Sequence, residues 1–431
     1  MFIRVFVPIS FLIVFTAVLP LSLNAQRIAI KAGHLFDTQT GKFVEDQVIL
    51  IEKGVIVEVY GQSQSEKAGE IIDLSDSWVM PGFIDVHVHL ESQSSPNTYL
   101  DRFRKNEADR AYDAAVYARR TLMAGFTTVR DLGGTGVNTA LSRAIQMGKA
   151  EGPTVYSAGK SIATTGGHAD PTNGFRADLI GDPGPKEGVI NGREEARKAV
   201  RQRYKNGAHC IKITATGGVL SLAKSGMAPQ FTMDELEGII EAANDLDMVT
   251  AAHAHGAEGM KRAVLAGINS IEHGSVMSEE VMDLMIERGT YYVPTLSAGV
   301  FTVEKADVPG YYPEIVIPKA KYVGAQMKGT FKKAYDKGVR IAFGTDSGVS
   351  PHGENAKEFQ YMVEAGMTPE DALKSATIEA ATLLRIQDRI GSLEKDFSAD
   401  IVAVRENPVE NIKILQEVSF VMKEGKVYKR K

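Results

Sequence analysis

Cysteine is almost absent from this sequence, since the 431 residues include one cysteine, Cys210. A single thiol cannot form an intramolecular disulfide, so packing of the core has to hold the fold. A composition of 44% apolar and 24% charged residues supplies ordinary material for such a core. The length predicts one large domain with a smaller one beside it.

An excess of positive charge is also absent. The formal net charge is -5 and the isoelectric point is ≈ 6.1, and no block of lysine or arginine stands out. A protein that binds nucleic acid needs a cationic surface for the phosphates. We therefore expect no nucleic acid partner and expect a small-molecule or dipeptide substrate instead.

Long hydrophobic runs are lacking as well, with one exception at the N-terminus. After Arg4 comes an apolar run over residues 5–23, and the small residue Ala25 stands before Gln26. This order is typical of a secretory signal peptide over residues 1–25 that is cleaved after Ala25. Because the run is nearly long enough to span a bilayer, an uncleaved membrane anchor is the alternative. Pro20 and the small residue at the cut favour cleavage, so we expect an exported protein, periplasmic or secreted, with no stable membrane insertion after processing.

Strand-like segments at the two ends of the mature chain favour a composite β domain. Residues 26–80 carry short, alternating apolar runs separated by glycines, and residues 391–431 return to the same pattern. We predict that these two segments form one small β-sandwich domain. The region between them, residues 81–390, would then be an insertion.

Residues 81–390 alternate strand-like runs with amphipathic helical stretches. Such an alternation, repeated eight times, predicts an α/β fold with a closed parallel (β/α)8 barrel of the TIM type. A loop rich in glycine and proline, residues 161–192, follows the third strand and is predicted to cover the substrate. The eight predicted strands are residues 83–89, 127–132, 154–159, 209–215, 248–253, 270–273, 291–295 and 340–345.

Two histidines close the first predicted barrel strand. His87 and His89 are two residues apart, so their side chains lie on the same face of the strand. Two imidazoles that converge at the mouth of a barrel can share one metal ion. This pattern alone is weak evidence, because histidines also occur in protein cores as hydrogen-bonded groups.

Further candidate ligands lie at the ends of other predicted strands. Lys212 lies between two isoleucines on strand 4, where an unpaired ammonium is costly to bury. It either has a carboxylate partner, or it loses its proton, takes up CO2 as a carbamate and bridges two metals. Strand 5 carries His253 and His255, strand 6 carries His273, and strand 8 carries Asp346. All of them fall at the C-terminal mouth, where barrel enzymes keep their active sites.

This pattern resembles the amidohydrolase superfamily in its two-metal form with a carboxylated lysine. The similarity runs from Pro81-Gly82-Phe83-Ile84-Asp85 to Ala399-Asp400-Ile401-Val402 and covers essentially the whole mature chain. Within the superfamily, the sequence is most similar to the branch of prolidase-like (Xaa-Pro) dipeptidases and relatives of imidazolonepropionase. The motifs behind this similarity include Ala252-His253-Ala254-His255-Gly256, Ile271-Glu272-His273-Gly274 and Thr165-Gly166-Gly167-His168.

The resemblance implies a complete set of ligands for two divalent ions. Zinc is the expected metal, although another borderline ion fits the same nitrogen and oxygen donors. On strand 5, His253 is chosen over His255 because it closes the apolar run of the strand. The implied ligands are His87, His89 and Asp346 for the first ion, His253 and His273 for the second, and carboxylated Lys212 between them.

Such a site implies hydrolysis without a serine or cysteine nucleophile. Two metals that share a water lower its pKa and leave it as a bridging hydroxide. Asp346 would act as the general base and pass the proton to the leaving nitrogen. Arg130 could instead form a buried ion pair with Asp131 that closes the barrel. The residues expected to contact the substrate are His168, His255, Tyr292 and Arg130.

The expected activity is hydrolysis of a carbon–nitrogen bond, at an amide next to a free carboxylate. Dipeptides such as Xaa-Pro and N-acyl amino acids are the expected substrates. A cyclic amide or lactone hydrolase related to imidazolonepropionase is the alternative enzyme. A non-catalytic binding scaffold is the alternative of another class, although the complete ligand set speaks against it. The sequence is also compatible with a homo-oligomer.

Overall fold

The computed structural model describes residue 3, residues 27–62 and residues 69–431. The predicted signal peptide, residues 1–25, lies outside the described residues apart from Ile3. Within the described ranges, no helix combines the length and the apolar character that crossing a membrane requires. Cleavage after Ala25 and export therefore stay predictions.

Strands and helices alternate through most of the described chain. The strands are β1 (Ile28–Asp37), β2 (Lys42–Glu52), β3 (Val55–Gly61), β4 (Glu70–Pro81), β5 (Phe83–Val88), β6 (Phe126–Asp131), β7 (Thr154–Ser157), β8 (Ala163–Thr164), β9 (Val189–Ile190), β10 (Cys210–Thr214), β11 (Val249–Gly256), β12 (Ser270–Val276), β13 (Tyr291–Val293), β14 (Ile401–Val404), β15 (Phe420–Lys423) and β16 (Lys426–Arg430). The helices are α1 (Thr98–Arg104), α2 (Glu107–Met123), α3 (Val137–Gln146), α4 (Ala177–Ile180), α5 (Arg193–Lys205), α6 (Met233–Asn244), α7 (Ala257–Ala266), α8 (Glu279–Arg288), α9 (Leu296–Ala306), α10 (Ile317–Lys337), α11 (Lys357–Glu364), α12 (Pro369–Ser375), α13 (Ile378–Leu383) and a 3-10 helix (Ile412–Glu417).

Strands from the two ends of the described chain form one seven-stranded sheet, in the order β16-β15-β14-β4-β1-β2-β3. β1 runs antiparallel to β2 and parallel to β4. β14 then joins β4 antiparallel, with Ile401 opposite Pro81. Apolar side chains from both ends share one core, for example Ile30 and Phe420.

The barrel consists of eight parallel segments, as the sequence predicts. β5, β6 and β7 form one hydrogen-bonded group, and β10, β11, β12 and β13 form another. The backbone N–H of His209 donates to the carbonyl of Ser157 at 2.7 Å and joins the two groups. The eighth segment, residues 340–347, is irregular, yet it bridges to Tyr292 on β13 and to Val88 on β5 and so closes the barrel. The predicted (β/α)8 barrel is confirmed.

Side chains on the barrel strands alternate between the interior and the layer of helices. On β10, Ile211 and Ile213 pack in the main core cluster with the helices, whereas Cys210 packs inside the barrel. A period of two therefore turns Lys212 inward as well. Ala251 on β11 also packs inside the barrel. By the same alternation, His253, two residues later, lies on the same inward face. Polar groups thus enter the barrel near the C-terminal ends of its strands.

Candidate active site

A cavity of ≈ 260 Å³ opens where the C-terminal ends of the barrel strands meet. One wall, made by α9 and α10, is mostly apolar through Ala298, Val323 and Met327. The titratable side chains that line the cavity include every metal ligand that the sequence predicts. They are His87, His89, His168, Lys212, His253, His255, His273 and Asp346.

His87 and His89 turn their Nε2 atoms toward the same point. Nδ1 of His87 lies 2.8 Å from Oε2 of Glu272, and Nδ1 of His89 lies 2.8 Å from the carbonyl oxygen of Gly133. A carboxylate and a carbonyl only accept hydrogen bonds, so each Nδ1 carries the proton and each Nε2 keeps a lone pair. Oδ1 of Asp346 lies 3.5 Å from Nε2 of His87 and 3.2 Å from Nε2 of His89.

When both imidazoles are neutral, three electron-pair donors therefore face one another with no hydrogen between them. Oδ1 of Asp346 is buried and accepts no hydrogen bond within the described residues. The candidate ligand atoms of His87, His89 and Asp346 all lie within 4.8 Å of one another. Burial lowers the pKa of His89, but Asp346 outweighs burial and raises it, because a proton on Nε2 would relieve this repulsion. A divalent cation would do the same, so the donor set fits a metal ion.

The backbone is left-handed at three positions around the cavity, which is uncommon for residues other than glycine. The φ angle is 67° at His273, 49° at Thr295 and 56° at Asp346. Strict alternation would point His273 toward the helices, because its neighbour Glu272 faces the barrel interior. The positive φ turns the imidazole into the cavity instead. Strain of this kind persists where the surrounding structure enforces it, and it is concentrated at functional sites.

Lys212 is buried, with 4% of its surface exposed. Burial, the largest effect, lowers the pKa of its ammonium group to about 8. Within the described residues its Nζ atom has one hydrogen-bond contact, with Nε2 of His87 at 3.4 Å, and no ion pair with a carboxylate. Glu272 and Asp346 raise this pKa, but neither carboxylate lies within ion-pair distance of Nζ, so the structure gives a permanently charged lysine no direct partner here. A lowered pKa leaves part of the amine neutral, and the neutral amine is the form that adds CO2.

The two histidines of β11 differ in their hydrogen bonds. Nε2 of His253 lies 3.1 Å from the carbonyl oxygen of Gly217, so its Nδ1 keeps the lone pair. Nδ1 of His255 lies 2.9 Å from the hydroxyl of Ser275, which can donate or accept. The rings of His253 and His273 are 4.6 Å apart, and burial holds the pKa of both well below its usual value. Both imidazoles are therefore neutral and able to bind a metal.

The residue that caps the N-terminus of α9, Thr295, holds the imidazole of His273 in position. Its Nδ1 atom lies 2.8 Å from the hydroxyl of Thr295. The buried carboxylate of Glu358 accepts hydrogen bonds from the backbone N–H groups of Leu296 and Ser297 at 2.8 and 2.6 Å. Glu358 thereby fixes the first turn of α9 and, with it, Thr295. Sequence reasoning missed both positioning residues, because neither belongs to a ligand motif.

Glu272 is a third positioning residue that sequence reasoning missed. It is fully buried, contacts His87 through Oε2, and accepts a hydrogen bond from Nη2 of Arg130 at 3.0 Å through Oε1. Burial alone raises the pKa of Glu272, but Arg130 and His87 outweigh burial and lower it to about 2. A carboxylate on the far nitrogen of a metal-binding histidine fixes its tautomer and raises its basicity. One feature of the sequence could have revealed it: a charged residue, Glu272, lies directly before His273 within a predicted barrel strand.

Comparison with known proteins decides the family. The model of the Amidohydrolase family matches residues 78–428. The chain belongs to this family. An ochratoxinase of Aspergillus niger is 35% identical over 369 residues, which cover 81% of this chain and 75% of that protein. An imidazolonepropionase of Acinetobacter baumannii is 26% identical over 404 residues, which cover 86% of this chain and 90% of that protein.

Solved structures agree with this assignment to the amidohydrolases. The crystal structure of a Xaa-Pro dipeptidase with methionine bound in its active site has a TM-score of 0.91 and 50% identity, covering 94% of this chain and 100% of the other. A prolidase complexed with N-methylphosphonate-L-proline has a TM-score of 0.86 and 29% identity, covering 94% and 100%. This amidohydrolase is therefore a hydrolase of carbon–nitrogen bonds, and the alternative of a non-catalytic scaffold loses its support.

The structure does not place two of the predicted substrate contacts, Tyr292 and Arg130, in the lining of the cavity. Tyr292 is fully buried, and its hydroxyl donates to the carbonyl oxygen of His273 at 3.0 Å. Arg130 is fully buried too, and neither residue lines the cavity. The alternative for Arg130 was a buried ion pair with Asp131. The structure gives it a buried partner, but that partner is Glu272 on the opposite side of the barrel.

The other two predicted contacts, His168 and His255, line the cavity. The ring of His168 lies 4.3 Å from that of His253, and burial lowers the pKa of His168 to about 3. Its Nδ1 atom is buried and has no hydrogen-bond partner within the described residues. An unpaired buried polar atom is costly, and a substrate that hydrogen-bonds to Nδ1 would remove that cost. His168 belongs to the loop that the sequence predicts to cover the substrate.

Gly218 leaves the space that His168 occupies, because a Cβ atom at Gly218 would come within 2.1 Å of the imidazole. We expect Gly218→Ala to displace His168 and to lower kcat/KM for amide substrates by about tenfold or more, since such overpacking costs about 1–3 kcal/mol. Steady-state kinetics measures the effect, and metal content shows whether the other ligands stay in place. Gly226→Ala is the matched control, because its new Cβ would meet nothing closer than 3.6 Å. Equal kinetics in both variants would show that His168 does not contact the substrate.

Proposed function

We propose that the protein hydrolyses an amide next to a free carboxylate, in dipeptides such as Xaa-Pro or in N-acyl amino acids. The observation that carries this proposal is the convergence of His87, His89 and Asp346 on one point, where the buried Oδ1 atom of Asp346 has no hydrogen-bond partner within the described residues. Similarity to a Xaa-Pro dipeptidase and to a prolidase that binds a proline phosphonate supports the substrate class.

Two divalent ions, expected to be zinc, complete the proposed site. When bound, they supply polarisation of the amide carbonyl and a water of lowered pKa. The mixture of neutral imidazoles and carboxylate oxygens suits zinc and similar borderline ions. The proposed ligands are His87, His89 and Asp346 for one ion, His253 and His273 for the other, and a carbamate on Lys212 shared between them.

Asp346 moves the proton in the proposed reaction. Burial raises the pKa of its carboxyl, but His87 and His89 outweigh burial and lower it, so the group is ionised at neutral pH. Its Oδ1 atom can accept a proton from the attacking water and then deliver it to the leaving nitrogen. In this proposal His168 and His255, which line the cavity, orient the substrate, and the apolar wall of α9 and α10 contacts its apolar part.

A cyclic amide or lactone hydrolase is the second candidate. The identity of 26% over 404 residues with an imidazolonepropionase favours it. Cyclic amides and lactones therefore belong in the same substrate panel as linear dipeptides. Turnover of the cyclic compounds alone would replace the dipeptidase proposal with this one.

We also propose that the protein is exported and that its signal peptide is cleaved after Ala25. The apolar run that ends shortly before this residue supports the proposal. Sequencing the N-terminus of the protein made in a secreting host tests it. A mature chain that starts at Gln26 is the expected result, and an intact N-terminus in the membrane fraction would favour the anchor.

The hydrolase proposal is tested on the chain from Gln26, purified with zinc and bicarbonate. We expect two metal ions per chain by elemental analysis and turnover of dipeptides or N-acyl amino acids. Lys212→Ala is expected to lose bound metal and activity together, because the shared ligand is gone. Cys210→Ala is the matched control on the same strand, and it should keep both.

Rescue of Lys212→Ala by a small carboxylate distinguishes a carbamate on Lys212 from a lysine that has only a structural role. Acetate at high concentration can place a carboxylate in the space that Lys212→Ala leaves empty. Partial return of metal binding and activity with acetate is the expected result. Fewer than one ion per chain and no turnover by the parent would overturn the proposed function.

A further inference from the structure

The loop that connects β10 to α6, residues 215–232, contacts the proposed site at several points. We call it the β10–α6 loop. The carbonyl oxygen of Gly217 lies 3.1 Å from Nε2 of His253. Gly218 lies against the imidazole of His168, where a Cβ atom would come within 2.1 Å of the ring. The next two residues line the active-site cavity with apolar side chains. The path of this loop therefore decides how a proposed metal ligand and one wall of the cavity are placed.

One side chain from α10 holds the β10–α6 loop by its backbone. Nζ of Lys319 donates three hydrogen bonds to it. The acceptors are the carbonyl oxygens of Gly218, Ser221 and Ala223, at 3.2, 2.6 and 2.9 Å. An ammonium group has three donors, so the loop satisfies all of them. Within the described residues, Lys319 forms no ion pair with a carboxylate. The loop backbone is therefore the binding partner of this lysine.

The position of Lys319 does not favour a lysine for the sake of the helix. Lys319 is the third residue of α10, where the N–H groups of the first turn create a partial positive charge. A cation is repelled at this end of a helix, whereas a carboxylate would be favoured. Burial also lowers the pKa of the ammonium group, so the loss of hydration opposes this placement as well. The hydrogen bonds to the loop have to offset both effects.

The same helix forms the opposite wall of the cavity. Val323 and Met327, about one and two turns beyond Lys319, line the cavity. The loop has a second attachment on its other side, because the hydroxyl of Tyr99 on α1 donates to the carbonyl oxygen of Leu220 at 2.8 Å. That attachment is a single bond from an uncharged group. Lys319 thus provides the stronger of these two attachments and connects two walls of the cavity.

We propose that Lys319 is a positioning residue, which holds the β10–α6 loop against α10 and thereby keeps the cavity in the conformation that binds substrate. This inference rests on the proposed function and deepens it. Without the three hydrogen bonds, the loop gains conformations in which Gly217 no longer orients His253. Only molecules with the loop in place bind substrate, so the apparent affinity falls by the fraction that is in place.

Lys319→Met tests this role, because it removes the ammonium group and keeps an unbranched side chain. Lys319 is partly exposed, so the variant should fold. With excess zinc, we expect KM for dipeptides or N-acyl amino acids to rise by about tenfold and kcat to stay within about twofold, because charged hydrogen bonds are strong and a saturating substrate selects the competent loop. Kinetics are measured well below the unfolding midpoint of every variant.

Metal retention is a second readout, which does not depend on turnover. Because the loop orients His253, a chelator should remove one of the two ions more readily from Lys319→Met than from the parent. Lys321→Met is the matched control, since Lys321 lies on the same helix and its ion pair with Asp307 is exposed. This control should keep the parental KM and the parental resistance to the chelator.

Restoring the charge at the same length separates positioning from packing. Lys319→Cys is made in the Cys210→Ala background and alkylated with 2-bromoethylamine, which yields a side chain as long as lysine with an ammonium group at its end. We expect the low KM to return, with Cys210→Ala alone as the reference. Alkylation of the same cysteine with iodoacetamide adds a neutral group instead and should restore KM less.

Two outcomes separate this inference from the proposed function. A Lys319→Met variant with a lowered unfolding midpoint but parental KM and parental metal retention would overturn the inference, since the lysine would then serve stability alone. The proposed function would stand in that case. A parent that binds two ions but hydrolyses no dipeptide or N-acyl amino acid would overturn both.

Discussion

Asp346→Asn is expected to lower kcat for dipeptides by about 100- to 10,000-fold, the usual contribution of a positioned general base. The amide cannot take the proton that Oδ1 of the carboxylate accepts and passes on. The fold should survive the change, because asparagine tolerates the positive φ of 56° at this position. The backbone N–H of residue 346 also keeps its hydrogen bond to the carbonyl oxygen of His87, at 2.7 Å in the parent.

The measurement combines kcat, metal content and a thermal unfolding midpoint for parent and variant. Ser347→Ala is the neighbouring control, since Ser347 lies outside the cavity lining and accepts a hydrogen bond from Thr345. It should keep near-parental turnover. If Asp346→Asn binds its metals and keeps more than about a tenth of the parental kcat, proton transfer is not the task of this residue.

The proposed ligands could be found in the sequence because each lies at the end of a barrel strand. Parallel strands of a closed barrel bring all their C-terminal ends to one mouth, so His87 and Asp346 had to meet although they are far apart in the chain. The choice between His253 and His255 was harder, because a period of two puts both on one face. The carbonyl oxygen that orients His253 comes from Gly217, in a loop whose path no sequence pattern gives.

The position of Tyr292 outside the cavity lining could have been predicted from the sequence itself. Tyr292 was predicted to touch substrate because it lies near the exit of strand 7. Its neighbours Tyr291 and Val293 pack inside the barrel, so alternation turns Tyr292 toward the helices, where it lies near Phe331. Glu272 is a different case. Its partner Arg130 approaches across the barrel, and that contact depends on the number and stagger of the strands rather than on any local pattern.

Arg130→Met is expected to lower the free energy of unfolding by about 3–5 kcal/mol, because it leaves a buried charge without its partner. Both Arg130 and Glu272 have 0% side-chain exposure, so water cannot replace the lost guanidinium. Unfolding by denaturant, followed in the metal-loaded chain, measures the loss. Arg119→Met is the surface control, since its ion pair with Glu151 is exposed and contributes little.

The double variant Arg130→Met with Glu272→Gln separates charge from packing. It removes both buried charges, so we expect it to regain more than half of the stability that Arg130→Met loses. The amide oxygen of glutamine can still accept a hydrogen bond from Nδ1 of His87. A double variant that is as unstable as Arg130→Met would assign the loss to the missing arginine stem and its hydrogen bond to the carbonyl oxygen of Val86.

Metal affinity should respond differently from stability in the same series. Glu272→Gln keeps the hydrogen bond to His87 but removes the negative charge behind it, so the imidazole becomes a weaker ligand. We expect metal affinity to fall by about 10- to 100-fold in Glu272→Gln and in the double variant, the range found for partners of metal-binding histidines. Competition with a chelator measures this. The double variant should recover more than half of the lost stability but still bind metal weakly. A parental metal affinity in the double variant would therefore show that Glu272 serves the barrel core and not the site.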